Sequence, residues 1–169
     1  MDLFEKDYFN NCADGIINTE IYQQLDSYIQ HGETTVLQHS VSVAFYSFKI
    51  GKKLNINCDF ESLIRGALLH DFFLYDWHVY DKSHRLHGFK HAKTALKNAE
   101  IHFNLNHTER DIIGKHMWPL NLRPPRYKES FIVWTADKYC SLIETAVRLF
   151  GSKKRFPQKV VYELINPDK

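Results

Sequence analysis

Residues 59–73 read DFESLIRGALLHDFF. Asp59 is placed to cap a helix, and the residues after it are apolar almost all round, the pattern of a helix buried on every side. Such a helix needs other helices to cover it, so the stretch points to an all-α bundle. It ends in an adjacent His70 and Asp71, where a solvated pair is hard to arrange. A buried, unpaired carboxylate costs several kcal/mol even after relaxation, so this pair needs partners or a cation.

Outward from that helix, apolar positions recur at three and four residues, the helical period. Upstream, the pattern predicts a helix from about Thr19 to His31, capped by Asn18 or Thr19 and stopped by Gly32. Another is predicted from about Thr35 to Leu54, with Val36, His39, Val43, Tyr46 and Ile50 on one face; Glu33, Thr34 and Thr35 serve as its cap. Downstream, residues 75–87 (YDWHVYDKSHRLH) read as an irregular polar-aromatic connection. Helices follow over GFKHAKTALKNAEIHF, over Thr108 to His116 with Asn106 or Thr108 as cap, and over Lys128 to Phe150, closed by Gly151. The prolines of PLNLRPPRY keep 119–127 out of helix. A short amphipathic piece, QKVVYELI, follows Pro157. The expectation is one all-α domain over 1–169, a bundle of about six or seven helices with its core at about 30–150.

Composition narrows the function. The chain has 169 residues, with 22 basic and 20 acidic side chains and a net charge of +2. That balance is wrong for a nucleic-acid polymer as partner. No apolar run approaches the roughly 20 residues of a membrane span. The start, MDLFEKDYFNN, lacks the basic-then-apolar order of a signal peptide, and Cys12, Cys58 and Cys140 form no CxxC pair. Reduced thiols in a cytoplasmic protein are the expectation. The ten histidines stand out. His39, His70, Asp71, His91, His116 and Asp137 fall at about one per helix and loop, which a bundle can converge on one point. Taken singly, each is explained as a core group with a hydrogen-bond partner. Together they form a ligand set for Zn, Mn, Fe, Co or Ni that needs no thiolate.

The histidine in QHSVSVA, the doublet in ALLHD and the aspartate in WTADKYCSL resemble the HD-domain superfamily of metal-dependent phosphohydrolases. Its H…HD…D signature spans residues 39–137 here. The resemblance implies that His39, His70, Asp71 and Asp137 bind one metal, with His70 and Asp71 at the catalytic centre. Two added histidines would hold a second divalent transition ion, with Asp71 bridging. His116 in IIGKHMW fits one place; His91 in HAKTAL or His87 in HGFKH fits the other, and the remaining one orients a ligand or touches substrate. The implied reaction is attack of metal-activated water on a small phosphorylated compound, nucleotide-like in kind. A homo-oligomer is compatible with this. The other readings are a mononuclear nucleotidase, an all-α di-iron oxygenase, and a non-catalytic regulatory domain that keeps its metal.

The chain departs from the family after the doublet. Members often continue with an apolar residue, glycine and lysine, whereas this chain continues FFLYDW. The expectation is a pocket walled by Phe72, Phe73, Tyr75 and Trp77, with Trp77 and His78 against a planar group of the substrate. Arg123 and Arg126 are candidates for the phosphate, and Lys138 is a third. Glu61 and Arg65 stand at ion-pair spacing, and His31, His102 and His107 read as surface residues.

Overall fold

The computed structural model describes residues 1–77 and 87–150. Among them are seven helices: α1 (Leu3–Ile17), α2 (Glu20–Gln23), α3 (Val36–Lys53), α4 (Phe60–Leu69), α5 (His87–His102), α6 (His107–Lys115) and α7 (Lys128–Phe150). None is long and apolar enough to cross a membrane. His78 and the QKVVYELI stretch lie outside the described residues, as does the side chain of His87, whose backbone opens α5.

α4 is the central element and touches α1, α3, α5, α6 and α7. Asp59 caps it, accepting from the Ser62 N–H at 3.1 Å, while the Asp59 N–H donates to Glu129 at 2.9 Å. Leu63, Ile64, Ala67, Leu68 and Leu69 are all buried. Gly66 lets α6 come close: a Cβ there would lie 2.6 Å from Ile112 Cδ1 and 3.1 Å from Ile112 Cβ. Thr35 and Asn106 head α3 and α6 with reciprocal caps to Gln38 and Glu109, where the sequence placed caps. α7 spans the expected residues.

Three features depart from the sequence reading. The helix expected over 19–31 is α2 followed by a 3₁₀ turn, Gln24–Ser27, and then a strand. That strand, β1 (Ile29–His31), pairs antiparallel with β2 (Thr34–Thr35). Gly32, at φ 63°, makes the hairpin turn and stops no helix. Second, α1 was not anticipated, although Phe9, Ala13, Ile16 and Ile17 bury a face with helical spacing. Third, Arg65 pairs with Glu109, and not with Glu61, because the Asn106 cap draws the Glu109 carboxylate inward beside α4. His31 is also half-buried, its ring centroid 6.0 Å from that of His39.

Candidate metal centre

The bundle brings one side chain from each of several elements to a single buried place. His39 comes from the first turns of α3, and Asp137 from the middle of α7. His70 is the C-terminal cap of α4, with Asp71 immediately beyond. His91 lies near the start of α5, and His116 caps the end of α6. All six are buried. They form two trios, His39 with His70 and Asp137, and Asp71 with His91 and His116; within each, the ligand atoms lie within 4.8 Å of one another.

Asp71 faces both trios. Its Oδ1 is 3.3 Å from His91 Nε2 and 3.4 Å from His116 Nε2. Its Oδ2 is 3.5 Å from His70 Nε2 and 3.9 Å from His39 Nε2. Asp137 Oδ1 lies 3.3 Å from His39 Nε2 and 3.9 Å from His70 Nε2.

The outward nitrogens explain why Nε2 faces the centre. His70 Nδ1 donates to the Ala67 carbonyl at 2.7 Å, and His116 Nδ1 to the Ile113 carbonyl at 2.8 Å. A carbonyl only accepts, so in the neutral rings Nε2 keeps its lone pair. His39 Nδ1 lies 3.0 and 3.1 Å from the two oxygens of buried Glu144. This is the carboxylate–histidine arrangement that stands behind metal-bound imidazoles.

His39 Nε2, His70 Nε2 and Asp71 Oδ1 are buried and have no hydrogen-bond partner. Buried polar atoms left in this way are costly, and a divalent cation would satisfy them once His39 is deprotonated. Donor chemistry and geometry therefore fit a transition metal.

The electrostatics agree for His70, Asp71 and Asp137, while His39 would have to give up a proton to become a ligand. Burial pushes His70 down to about 4, which leaves a neutral ring near neutral pH. Burial would also raise Asp71, but His70, His116 and His91 outweigh it and hold the carboxyl well below its ordinary value. Asp137 is likewise lowered against its burial by His39, His70 and Lys138. Burial opposes a charge on His39, yet Glu144 and Asp137 hold that ring well above its ordinary value.

The sequence profile of the HD domain matches residues 36–142, a span that includes all six side chains. The chain belongs to the HD domain family. HD domains bind divalent metals, and the superfamily is one of metal-dependent hydrolases, mostly phosphohydrolases. No curated protein and no solved structure matches the chain significantly.

Around this centre, three supporting residues escaped the sequence reading. Gln30 on β1 donates from Nε2 to Asp71 Oδ2 at 2.7 Å. Glu144 supports His39, and Ser141 Oγ donates to Asp137 Oδ1 at 3.2 Å. Asp137, Ser141 and Glu144 stand at i, i+4 and i+7, so the last two shared a readable face with a candidate ligand. Gln30 carried no such signal, because it reaches the centre through the unforeseen hairpin.

The aromatic wall is corrected in part. Phe72 and Phe73 are buried; Phe72 packs on Tyr22 and Phe103, and Phe73 lies edge-on to His91 at 5.9 Å. Tyr75 and Trp77 remain half-buried at the margin of the core. Asn98 of α5 donates to the carbonyls of both phenylalanines, at 3.1 and 3.0 Å, and pins the turn after the doublet. Lys138 is exposed, with its Nζ 2.8 Å from Asp137 Oδ2. Arg123 and Arg126 line a cavity of about 590 Å³ outside α6 whose walls include none of the six candidate ligands.

Proposed function

We propose that this HD domain is a metal-dependent phosphohydrolase acting on a small, nucleotide-like phosphorylated substrate. His39, His70 and Asp137 hold one divalent transition ion, and Asp71, His91 and His116 hold the second; Fe, Mn, Co, Ni and Zn all suit this donor set. The observation that carries the reading is the Asp71 carboxylate, which stands between two buried trios with an oxygen toward each. When bound, such ions supply Lewis acidity and a water that deprotonates near neutral pH.

The chain's own residues do the rest. Asp71 ties the two trios together, and Gln30 fixes its rotation through Oδ2. His70 stays uncharged, so its Nε2 remains a ligand. Lys138 holds Asp137 in place and leaves an exposed ammonium at the rim, where a phosphate is met first. Tyr75 and Trp77 offer half-buried aromatic surface for a base, a contact worth roughly 1–3 kcal/mol. The reading treats residues 1–169 as one such domain, acting in the cytoplasm.

The test is phosphate release from a nucleotide library with Mn, Fe, Co, Ni, Zn and Mg supplied separately. Turnover with a transition ion, abolished by Asp71→Ala, is the expected result. Metal uptake without release from any substrate would favour a regulatory domain. Oxygen consumption by the iron-loaded protein would favour an oxygenase.

A further inference from the structure

The segment between α6 and α7 is tied down at both ends. Asn121 Nδ2 donates to the Gly114 carbonyl at 2.9 Å. Asp111 Oδ2 accepts from the Arg126 N–H at 2.8 Å, the Tyr127 N–H at 3.4 Å and Ser130 Oγ at 2.8 Å. A cavity of about 590 Å³ is lined by this clamped segment together with α6, within the roughly 300–1,000 Å³ usual for small-molecule sites.

Its charge is one-sided. Arg110, Lys115, Arg123 and Arg126 line it against one carboxylate, Asp111, in a chain whose net charge is only +2. Asp111 is already engaged by Lys115 and the three donors above, so it repels an anion little. Arg110 is paired with Glu100. Arg123 and Arg126 have no ion-pair partner among the described residues, and the Arg126 guanidinium lies 5.7 Å from the Tyr127 ring centroid. Two exposed guanidiniums without a carboxylate partner, on residues that line the cavity, match phosphoryl oxygens, which the planar fork binds in pairs. A further polar atom waits at the wall: Asn121 Oδ1 is buried without a hydrogen-bond partner, and it accepts only from a donor.

We propose that this cavity is a second ligand site, separate from the metal centre, for a nucleoside di- or triphosphate. Arg123 and Arg126 take the phosphate chain, with Lys115 adding to the field. Tyr127 offers an aromatic side, and Asn121 Oδ1 accepts from a hydroxyl or amino group of the nucleoside. The site needs no metal.

The test is calorimetric titration of the full chain with ATP and with inorganic tripolyphosphate, in chelator that removes divalent ions. Both should bind, ATP more tightly. Arg123→Glu with Arg126→Glu should weaken both by about tenfold or more, and Arg123→Gln with Arg126→Gln should do so less severely. Asp71→Ala should bind as wild type does. A charge control on exposed residues of α3, Lys49→Glu with Lys53→Glu, should stay within about twofold of wild type. The arginine variants must keep the wild-type circular dichroism. The proposal is overturned by an equal loss in the charge control, by loss in Asp71→Ala with retention in the arginine variants, or by no binding below roughly 1 mM. Equal affinity for the two probes overturns the nucleoside part.

Discussion

The trio of His39, His70 and Asp137 stands where α3, α4 and α7 pack together; the trio of Asp71, His91 and His116 stands on the ends of α4, α5 and α6. The first is braced by charge at two of its three members, His70 resting on the Ala67 carbonyl. Glu144 backs His39, and Lys138 and Ser141 hold Asp137. The second is braced by neutral groups: the Ile113 carbonyl behind His116 and the edge of Phe73 against His91. An anionic partner raises the basicity of an imidazole ligand, whereas a carbonyl mainly orients it. If each trio takes an ion as proposed, the two should differ in affinity, with the tighter ion in the trio backed by Glu144.

Replacing Asp71, the member of one trio that also faces the other, should have the largest effect. Asp71→Ala should lower kcat/KM by about a thousandfold or more, roughly 4 kcal/mol, and deplete both ions while the helical circular dichroism is kept. Loss of a single ion would show that Asp71 serves one trio alone. Next, metal analysis should find about two equivalents in wild type and about one in His116→Ala. His91→Ala should match His116→Ala unless His87 substitutes for it. One equivalent in all three proteins would remove the second trio as a site. Glu144→Gln sharpens the contrast further: the tighter ion should weaken by about 10–100-fold in a metal titration, with the weaker ion unmoved.

Smaller effects probe the scaffold. Gly66→Ala forces a Cβ into Ile112 and should cost about 1–3 kcal/mol, read as a lower Tm of the metal-free protein. Asp111→Asn should cost about 1 kcal/mol near neutral pH, from weakened bonds to the loop and to Lys115. Burial acts to raise Asp111, but Lys115, the Arg126 N–H and Ser130 prevail and place its folded value below the ordinary 3.8. Its stabilisation is thus present above that ordinary value and is lost as pH falls toward the folded one. Acid titration of wild type should show a steeper loss of stability below about pH 4 than Asp111→Asn does. Equal slopes would mean that Asp111 is not held ionised by its partners.

The sequence made ligands legible where they interrupt an apolar helical face, since an unpartnered polar group is costly there. His39, His70, Asp71 and Asp137 stand out that way, whereas His91 and His116 enter as candidates through the resemblance to the HD signature. Caps at Thr35, Asp59 and Asn106 likewise gave the starts of α3, α4 and α6. The region before α3 was misread. Helical spacing over 19–31 was real, but Gln30 bonding to Asp71 and the Gly32 turn favour the hairpin, and both are tertiary facts. The Arg65–Glu109 pair was hidden for the same reason, since 44 residues separate its members. Glu144 was within reach of a stricter rule: any carboxylate on the buried face of a ligand's own helix needs a partner.

The crossing of Gly66 and Ile112 has a consequence for how the site is assembled. Gly66 lies one helical turn before His70, and Ile112 one turn before His116, whose ring centroids stand 4.9 Å apart. Neither crossing residue carries a polar side chain, so the contact itself calls on no ion. His70 and His116, one imidazole from each trio, are thereby placed by core packing. Loading the site asks little entropy of the backbone, and exchange of one divalent ion for another should leave the helix axes where they are.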